Sequence, residues 1–171
     1  PEWIVDKGTK LDSIENRIHL VAMRFEVLRR DAVIGRYRAL TTGETQESAE
    51  AIYRERLRQL DDDFVFLEKC NLGSESVSSE HLARIESIAR QHWSDTRGET
   101  HPLLNENEVY NLSVQRGTLN PEERKIIEDH AVHTISMLSQ IAFPRSLRNV
   151  TEYAAGPHER MDGRGYPHGL K

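Results

Sequence analysis

The spacing of apolar residues constrains the fold most, because it follows the period of an α-helix through most of the chain. From Leu11 to about Arg38, successive apolar residues are three or four positions apart, which lines one face of a helix. They are Leu11, Ile14, Ile18, Val21, Ala22, Phe25 and Leu28. A second long helix is predicted from about residue 46 to 70, and a third from Ser78 to near His92. No segment shows the alternation of a strand, so the sequence predicts an all-α protein.

Two asparagines mark further helix starts. Asn105 is followed three residues later by Glu108, which is the spacing of a capping box. Asn120 precedes Pro121 and two glutamates, a combination typical of the first turn of a helix. We therefore predict a short fourth helix after Asn105 and a fifth helix from Asn120 to about Ile141.

Composition narrows the function classes. The chain has 171 residues and a net charge of −5, which argues against a general binder of nucleic-acid polymers. Its single cysteine, Cys70, cannot form an internal disulfide, so a cytoplasmic location is expected. No apolar run reaches the length of a membrane span. The start at Pro1 leads us to expect a piece of something longer.

His130 is the most informative of the eight histidines. At about 100° per residue it falls at the centre of the apolar stripe of the fifth helix, and we expect it to be buried. A buried imidazole needs hydrogen-bond partners or a metal ion, so a core histidine and a metal ligand are both open readings. His133 lies at the edge of the same stripe.

After a predicted sixth helix, residues 144–155, the chain becomes rich in glycine and in metal-ligand types. Nitrogen and carboxylate donors suited to iron, manganese or zinc occur at His158, Glu159 and Asp162. Gly163 and Gly165 allow sharp turns and close approach to a ligand. The neighbouring Arg164 and Tyr166 offer a phosphate partner and a stacking ring. The alternative is a loop that closes a helical bundle, with Asp162 capping a turn.

Residues 157–167 read PHERMDGRGYP and closely resemble the signature of HD-GYP domains, HHExxDGxGYP. The fifth helix resembles the helix before that signature, in which a histidine near the middle is a metal ligand. His130 occupies that position, 28 residues before His158. The resemblance extends from about residue 116 to 171.

The resemblance implies an all-α helical bundle of the HD-domain type and a metal-dependent phosphodiesterase that hydrolyses cyclic di-GMP. It implies two or three divalent metal ions, commonly iron or manganese, with His130 and His158 as ligands. The residues that it places against the substrate are Arg164, Gly165, Tyr166 and Pro167. The residues expected to shape the loop or support the ligands are Glu159, Asp162, Gly163 and His133.

The resemblance also implies an organisation. Residues 1–11 resemble the stretch after the HD dyad, and the motif at 7–11 is echoed at 116–119. We therefore predict a remnant at 1–11, a helical insertion at 12–115, and the C-terminal part of the core at 116–171. The HD dyad and a later ligand aspartate would fall outside the chain, and Pro157 replaces the first histidine of the signature. The chain alone is accordingly expected to be inactive.

A second hypothesis is a catalytically degenerate domain that binds a nucleotide or another protein. A third is that the inserted helices form an arm for dimerisation or signal relay. The expected partners are cyclic di-GMP, a second copy of the chain and GGDEF-type signalling proteins.

Overall fold

The computed structural model describes residues 4, 6–13, 16–73 and 76–169. They form two compact units. The hairpin unit comprises residues 6–118, and the tail unit comprises residues 1–5 and 119–171. Helices dominate both units, which confirms the predicted all-α class. No helix among the described residues is long and apolar enough to cross a bilayer.

The hairpin unit is built on two long helices that pack along each other, α1 (Ile18–Thr41) and α2 (Gln46–Leu72). They are followed by α3 (Ser79–Ala89), β1 (His92–Ser94), β2 (Thr100–Pro102) and α4 (Glu106–Leu112). Buried hydrophobic residues of this unit form one cluster. Its buried members are Leu11, Ile18, Val21, Phe25, Leu28, Leu60, Leu67, Cys70, Ile85, Ile88, Leu103, Leu104 and Leu112.

Side-chain caps start the helices where the sequence predicts them. The Ser78 hydroxyl accepts a hydrogen bond from the His81 N–H at 3.2 Å. Asn105 and Glu108 form the predicted capping box at the start of α4. Gly73 ends α2 in the left-handed region, with φ of 66°. A Cβ there would also lie 2.7 Å from the Gly117 carbonyl oxygen, so both conformation and space require glycine.

Charged groups lie inside the hairpin unit. Arg24 and the buried Glu108 form a two-point ion pair with N–O distances of 2.7 and 3.1 Å. The fully buried Lys10 donates to the carbonyl oxygens of Leu112 at 3.1 Å and Val114 at 2.7 Å. Buried charges are tolerated when they are paired in this way.

The two ends of the hairpin unit lie side by side. The Thr118 hydroxyl donates to the Lys7 carbonyl oxygen at 3.3 Å. The Lys10 ammonium bridges the same two ends through its contacts with residues 112 and 114. Residues 7–11 and 116–119 echo each other in sequence. Within the hairpin unit, which ends at residue 118, these two segments are therefore close in space.

Two predicted helix boundaries are wrong in detail. The first helix begins at Ile18 and not at Leu11, which is part of a turn in which the Asp12 carboxylate accepts the N–H groups of Gly8 and Thr9. Ile14, predicted in that helix, lies outside the described residues. The third helix ends at Ala89, and residues 92–94 pair with residues 100–102 as an antiparallel hairpin. Three-residue strands are too short to show alternation in a sequence.

The tail unit contains α5 (Pro121–Ser139), which packs against α6 (Val150–Ala155). Asn120 and Glu123 form a capping box at the start of α5, and Pro121 is in its first turn, as predicted. The predicted sixth helix is only partly correct. Its first part is a 3-10 turn, Arg145–Leu147, and α6 starts at Val150. A second 3-10 turn, Gly156–His158, leads into the glycine-rich loop.

Candidate metal centre

Two histidines from separate elements of the tail unit come together. His130 lies in the middle of α5, and His158 ends the 3-10 turn that follows α6. Their Nε2 atoms are 3.1 Å apart. The ring planes are nearly perpendicular, with an angle of 88° and centroids 4.7 Å apart. The other ring nitrogen of His130, Nδ1, contacts the carbonyl oxygen of Ile127 one turn earlier in α5.

Tyr166 completes this group. Its ring stacks on the His158 imidazole at an interplanar angle of 15°, with centroids 4.8 Å apart. The phenol oxygen lies 3.0 Å from His158 Nδ1. The backbone N–H of Tyr166 donates to the His158 carbonyl oxygen at 3.1 Å. Tyr166 is thus bound to His158 through main chain, ring face and hydroxyl.

The loop between His158 and Tyr166 is shaped by its own polar groups. The Asp162 carboxylate accepts the Arg164 N–H at 3.0 Å, so it caps a turn. Gly163 follows with φ of 72°, which favours glycine. The Glu159 carboxylate accepts the His168 N–H at 2.7 Å and closes the far side of the loop.

Gly165 is required by space. A Cβ at this position would lie 2.3 Å from the Arg160 nitrogen and 2.5 Å from the Glu159 Cα. Both neighbours are backbone, which cannot move aside as a flexible side chain can. Gly165 therefore lets the loop fold tightly enough for Tyr166 to reach His158.

The predicted burial of His130 is wrong. His130 is exposed, and so is His133 beside it. The apolar stripe around His130 is open as well, with Met137 62% and Ile141 54% exposed. A stripe predicts burial only where another element covers it, and within the tail unit α6 covers only part of α5.

The remaining predicted site residues flank the histidine pair. Arg164 is exposed, while Gly165 and Pro167 are half-buried. Pro157 is exposed in the 3-10 turn and offers no side-chain donor atom next to His158. His133 makes no part of the His130–His158–Tyr166 group.

The histidine pair fits one divalent ion. Two nitrogen ligands about 2.1 Å from one ion lie roughly 3.0–3.4 Å apart at tetrahedral or octahedral angles, and the Nε2 separation of 3.1 Å falls in that range. In the part of the chain that the structure describes, no third histidine, cysteine or carboxylate joins this pair in a tight three-ligand group. The pair by itself is an incomplete metal site.

One group of ligand types was missed by the sequence analysis. In the β-hairpin, ligand atoms of Asp95, Glu99 and His101 lie within 4.8 Å of one another. Asp95 also accepts the N–H groups of Arg97 at 2.8 Å and Glu99 at 2.9 Å, so it shapes the turn. The Glu99 N–H holds the pKa of the Asp95 carboxyl below 3.8. These three residues come together only because the β-hairpin folds, so the group can be recognised in the sequence only if the hairpin is predicted first.

Comparison with known proteins gives one match. No curated protein and no solved structure matches the chain. The family model of the HD domain matches residues 106–171, which include α4, both histidines of the pair and Tyr166. This match supports an HD domain in that segment, and thereby the superfamily of metal-dependent phosphohydrolases.

Proposed function

We propose that the chain is part of a metal-dependent phosphodiesterase of the HD-GYP type that hydrolyses cyclic di-GMP in bacterial signalling. The observation that carries the proposal is the 3.1 Å separation of two Nε2 atoms inside the segment that matches the HD domain. The sequence PHERMDGRGYP supports the HD-GYP subdivision.

In this proposal His130 and His158 hold a divalent ion, iron or manganese, in a site that contains two or three ions when complete. Bound metal ions supply Lewis acidity, which lowers the pKa of water and neutralises charge on a phosphate. The chain's own residues bind and orient the substrate. The exposed Arg164 guanidinium pairs with a phosphate oxygen, and the loop residues Gly165 and Pro167 border the substrate.

We further propose that residues 12–115 are a helical insertion between residues 1–11 and the core at 116–171. The close approach of Lys7 to Thr118 supports this, because an inserted module leaves its host chain at nearly the point where it returns. The proposed partners are cyclic di-GMP, a second copy of the chain and GGDEF-type signalling proteins.

A metal analysis combined with a phosphodiesterase assay tests the proposal. The full natural protein should contain iron or manganese and convert cyclic di-GMP to the linear dinucleotide or GMP. The variants His130→Ala and His158→Ala should lose metal and turnover together. His19→Ala, which removes an exposed histidine of α1, is the matched control and should retain both. Metal content that is equal in all four proteins would contradict the assignment.

Pro157 favours a second function, a degenerate domain that binds cyclic di-GMP or a protein without hydrolysis. Proline has no donor atom, and it stands where the signature has a histidine. Binding of the nucleotide without turnover would support this second function. Pro157→His should then raise the metal content, and an unchanged content would exclude a ligand role for this position.

A further inference from the structure

The first long helix of the hairpin unit, α1, carries apolar residues on two opposite faces. Its inner face is buried within the unit through Ile18, Val21, Phe25 and Leu28. A second row begins two residues after each of these positions, which is about 200° around the helix. This row, which we call the outer seam, consists of Leu20, Met23, Val27, Arg30, Ile34 and Tyr37. Apart from Arg30, α1 is therefore apolar where a surface helix is expected to be polar.

The outer seam is open to solvent. Leu20, Met23, Ile34 and Tyr37 are between 47% and 68% exposed, and Val27 is half-buried. Single exposed apolar residues are ordinary on a protein surface, whereas a continuous row of them marks an interaction site. The row advances by alternating steps of three and four residues from position 20 to position 37. That is the heptad spacing of a coiled coil, so this face suits another helix.

We propose that the outer seam packs against the outer seam of a second copy of the chain, with the two α1 helices antiparallel. Reversing one helix lets its steps of three and four residues match those of the other. The level pairs, each formed by one residue from each copy, are Leu20–Tyr37, Met23–Ile34 and Val27–Arg30. Each pair occurs twice, which is the self-complementarity that a two-fold dimer requires. This inference gives a surface to the second copy named above as a partner, and it needs neither metal ions nor hydrolysis.

Arg30 determines the direction of the two helices. In a parallel pair each residue is level with its own copy, so two Arg30 guanidinium groups would meet inside the seam. In the antiparallel pair Arg30 lies level with Val27 and within one residue, about 1.5 Å along the axis, of Glu26 of the second copy. Glu26 is exposed and binds Arg29 of its own chain through one oxygen, and a carboxylate can accept from two arginines. Among the described residues Arg30 has no ion pair of its own, so the second copy supplies its partner.

Sedimentation equilibrium of the 171-residue chain measures the association. We expect the wild type to form dimers as its concentration is raised. Ile34→Glu places a charge in the seam and should raise the dissociation constant at least about tenfold. Ile52→Glu, the same substitution at an exposed isoleucine of α2, is the matched control and should associate as the wild type does. Circular dichroism should show equal helix content in all three proteins, since both positions are exposed.

A second variant separates the seam from any loss of folding, because it should strengthen association. Arg30→Leu replaces the charged member of the seam with an apolar one and should lower the dissociation constant at least about tenfold. Arg54→Leu, at an arginine of α2 that is 76% exposed, is its control and should leave the dissociation constant unchanged. Stability measurements at concentrations below the dissociation constant then report on the monomer alone.

Cysteine cross-linking tests the direction of the helices. A mixture of Met23→Cys and Ile34→Cys chains should form a disulfide-linked dimer on mild oxidation, whereas each variant alone should form far less. The native Cys70 is buried, and the wild type is the control for its reaction. Cross-linking of each variant with itself, as strong as in the mixture, would indicate parallel helices and overturn the proposed arrangement.

The remaining outcomes keep this inference separate from the proposed function. A wild-type chain that stays monomeric at every concentration would overturn the inference, as would equal effects of Ile34→Glu and Ile52→Glu. A monomeric chain whose outer seam binds vesicles or another protein would overturn it as well. None of these results bears on the metal centre, because loss of metal from His130→Ala is expected whether or not the chain forms a dimer.

Discussion

Glu108 shows how a single residue can serve two structures in the hairpin unit. Its carboxylate pairs with Arg24 at two points and also accepts the Asn105 N–H at 2.8 Å, which completes the capping box of α4. It is 1% exposed, so no water replaces these partners. Removing one member of a buried pair leaves the other charge uncompensated.

We therefore expect Glu108→Gln to lower the free energy of unfolding by about 3 kcal/mol. The exposed pair Arg90–Glu86 is the control, and Glu86→Gln should cost at most about 1 kcal/mol. Urea unfolding followed by circular dichroism measures both. Equal effects of the two substitutions would show that the Arg24–Glu108 pair is solvated in solution.

The buried Lys10 leads to a prediction about how the stability of the fold depends on pH. Burial lowers the pKa of the Lys10 ammonium below 10.5, and its interaction with Cys70 opposes that shift. Between the lowered pKa and 10.5 the unfolded chain binds more protons than the folded one, so this group adds stability as the pH rises. Below the lowered pKa both states bind the proton, so the gain in stability from this group is absent.

The measurement is urea unfolding at neutral pH and near pH 10.5 in wild type and Lys10→Met. We expect the stability of the wild type relative to Lys10→Met to increase at the higher pH, since only the wild type has the buried ammonium. Lys69→Met, at an exposed lysine of α2, serves as the control and should follow the wild type. Parallel pH profiles for wild type and Lys10→Met would contradict the burial of the charged form.

At the scale of elements, the loop after α6 depends on two glycines for different reasons. Gly163 supplies a positive φ, whereas Gly165 supplies space against the backbone of residues 159 and 160. The spatial requirement is the stricter one, because a methyl group there must displace main chain. The contacts of Tyr166 with His158 depend on that packing.

We expect Gly165→Ala to open the loop and to raise hydrogen exchange at the Tyr166 amide at least about tenfold, since one hydrogen bond is worth about 1 kcal/mol and the clash adds to its loss. Gly156→Ala is the matched control, because a Cβ there meets nothing within 4 Å. Exchange of the Tyr166 amide is measured by NMR. Equal protection in the two variants would mean that the loop accommodates a methyl group at residue 165.

The sequence allowed correct prediction of elements whose signals are local. The capping boxes at Asn105 and Asn120 depend on residues three positions apart, so they are visible in a single segment. The exposure of His130 and the strand at 92–94 depend on what packs against them, which periodicity does not reveal. The proximity of His130 and His158 was predicted from the family resemblance of the loop signature and its spacing. A separation of 28 residues in sequence does not by itself imply any distance between two side chains.

At the scale of the whole molecule, the apolar core cluster is confined to the hairpin unit. Every member of that cluster lies between Leu11 and Leu112, and the Arg24–Glu108 pair lies inside the same range. The hairpin unit thus contains the partners of its own buried groups. That is the property expected of a segment that folds alone.

We therefore expect a polypeptide of residues 6–118 to be helical and to unfold cooperatively. Thermal unfolding followed by circular dichroism provides the measurement. Leu60→Ala in this polypeptide, at a fully buried position, should lower its stability by about 2–5 kcal/mol, while Leu20→Ala at an exposed position should not. A gradual unfolding transition that neither substitution shifts would contradict the expectation that this polypeptide has a core of its own.

The contact between Thr118 and Lys7 has an evolutionary consequence. In the insertion that we propose, the two ends lie side by side, so a single genetic event can lengthen the inserted segment, exchange it for an unrelated one or delete it, and the flanking polypeptide needs only a short splice to reconnect. Relatives of this protein should therefore differ far more in the inserted segment than in the glycine-rich motif that follows it.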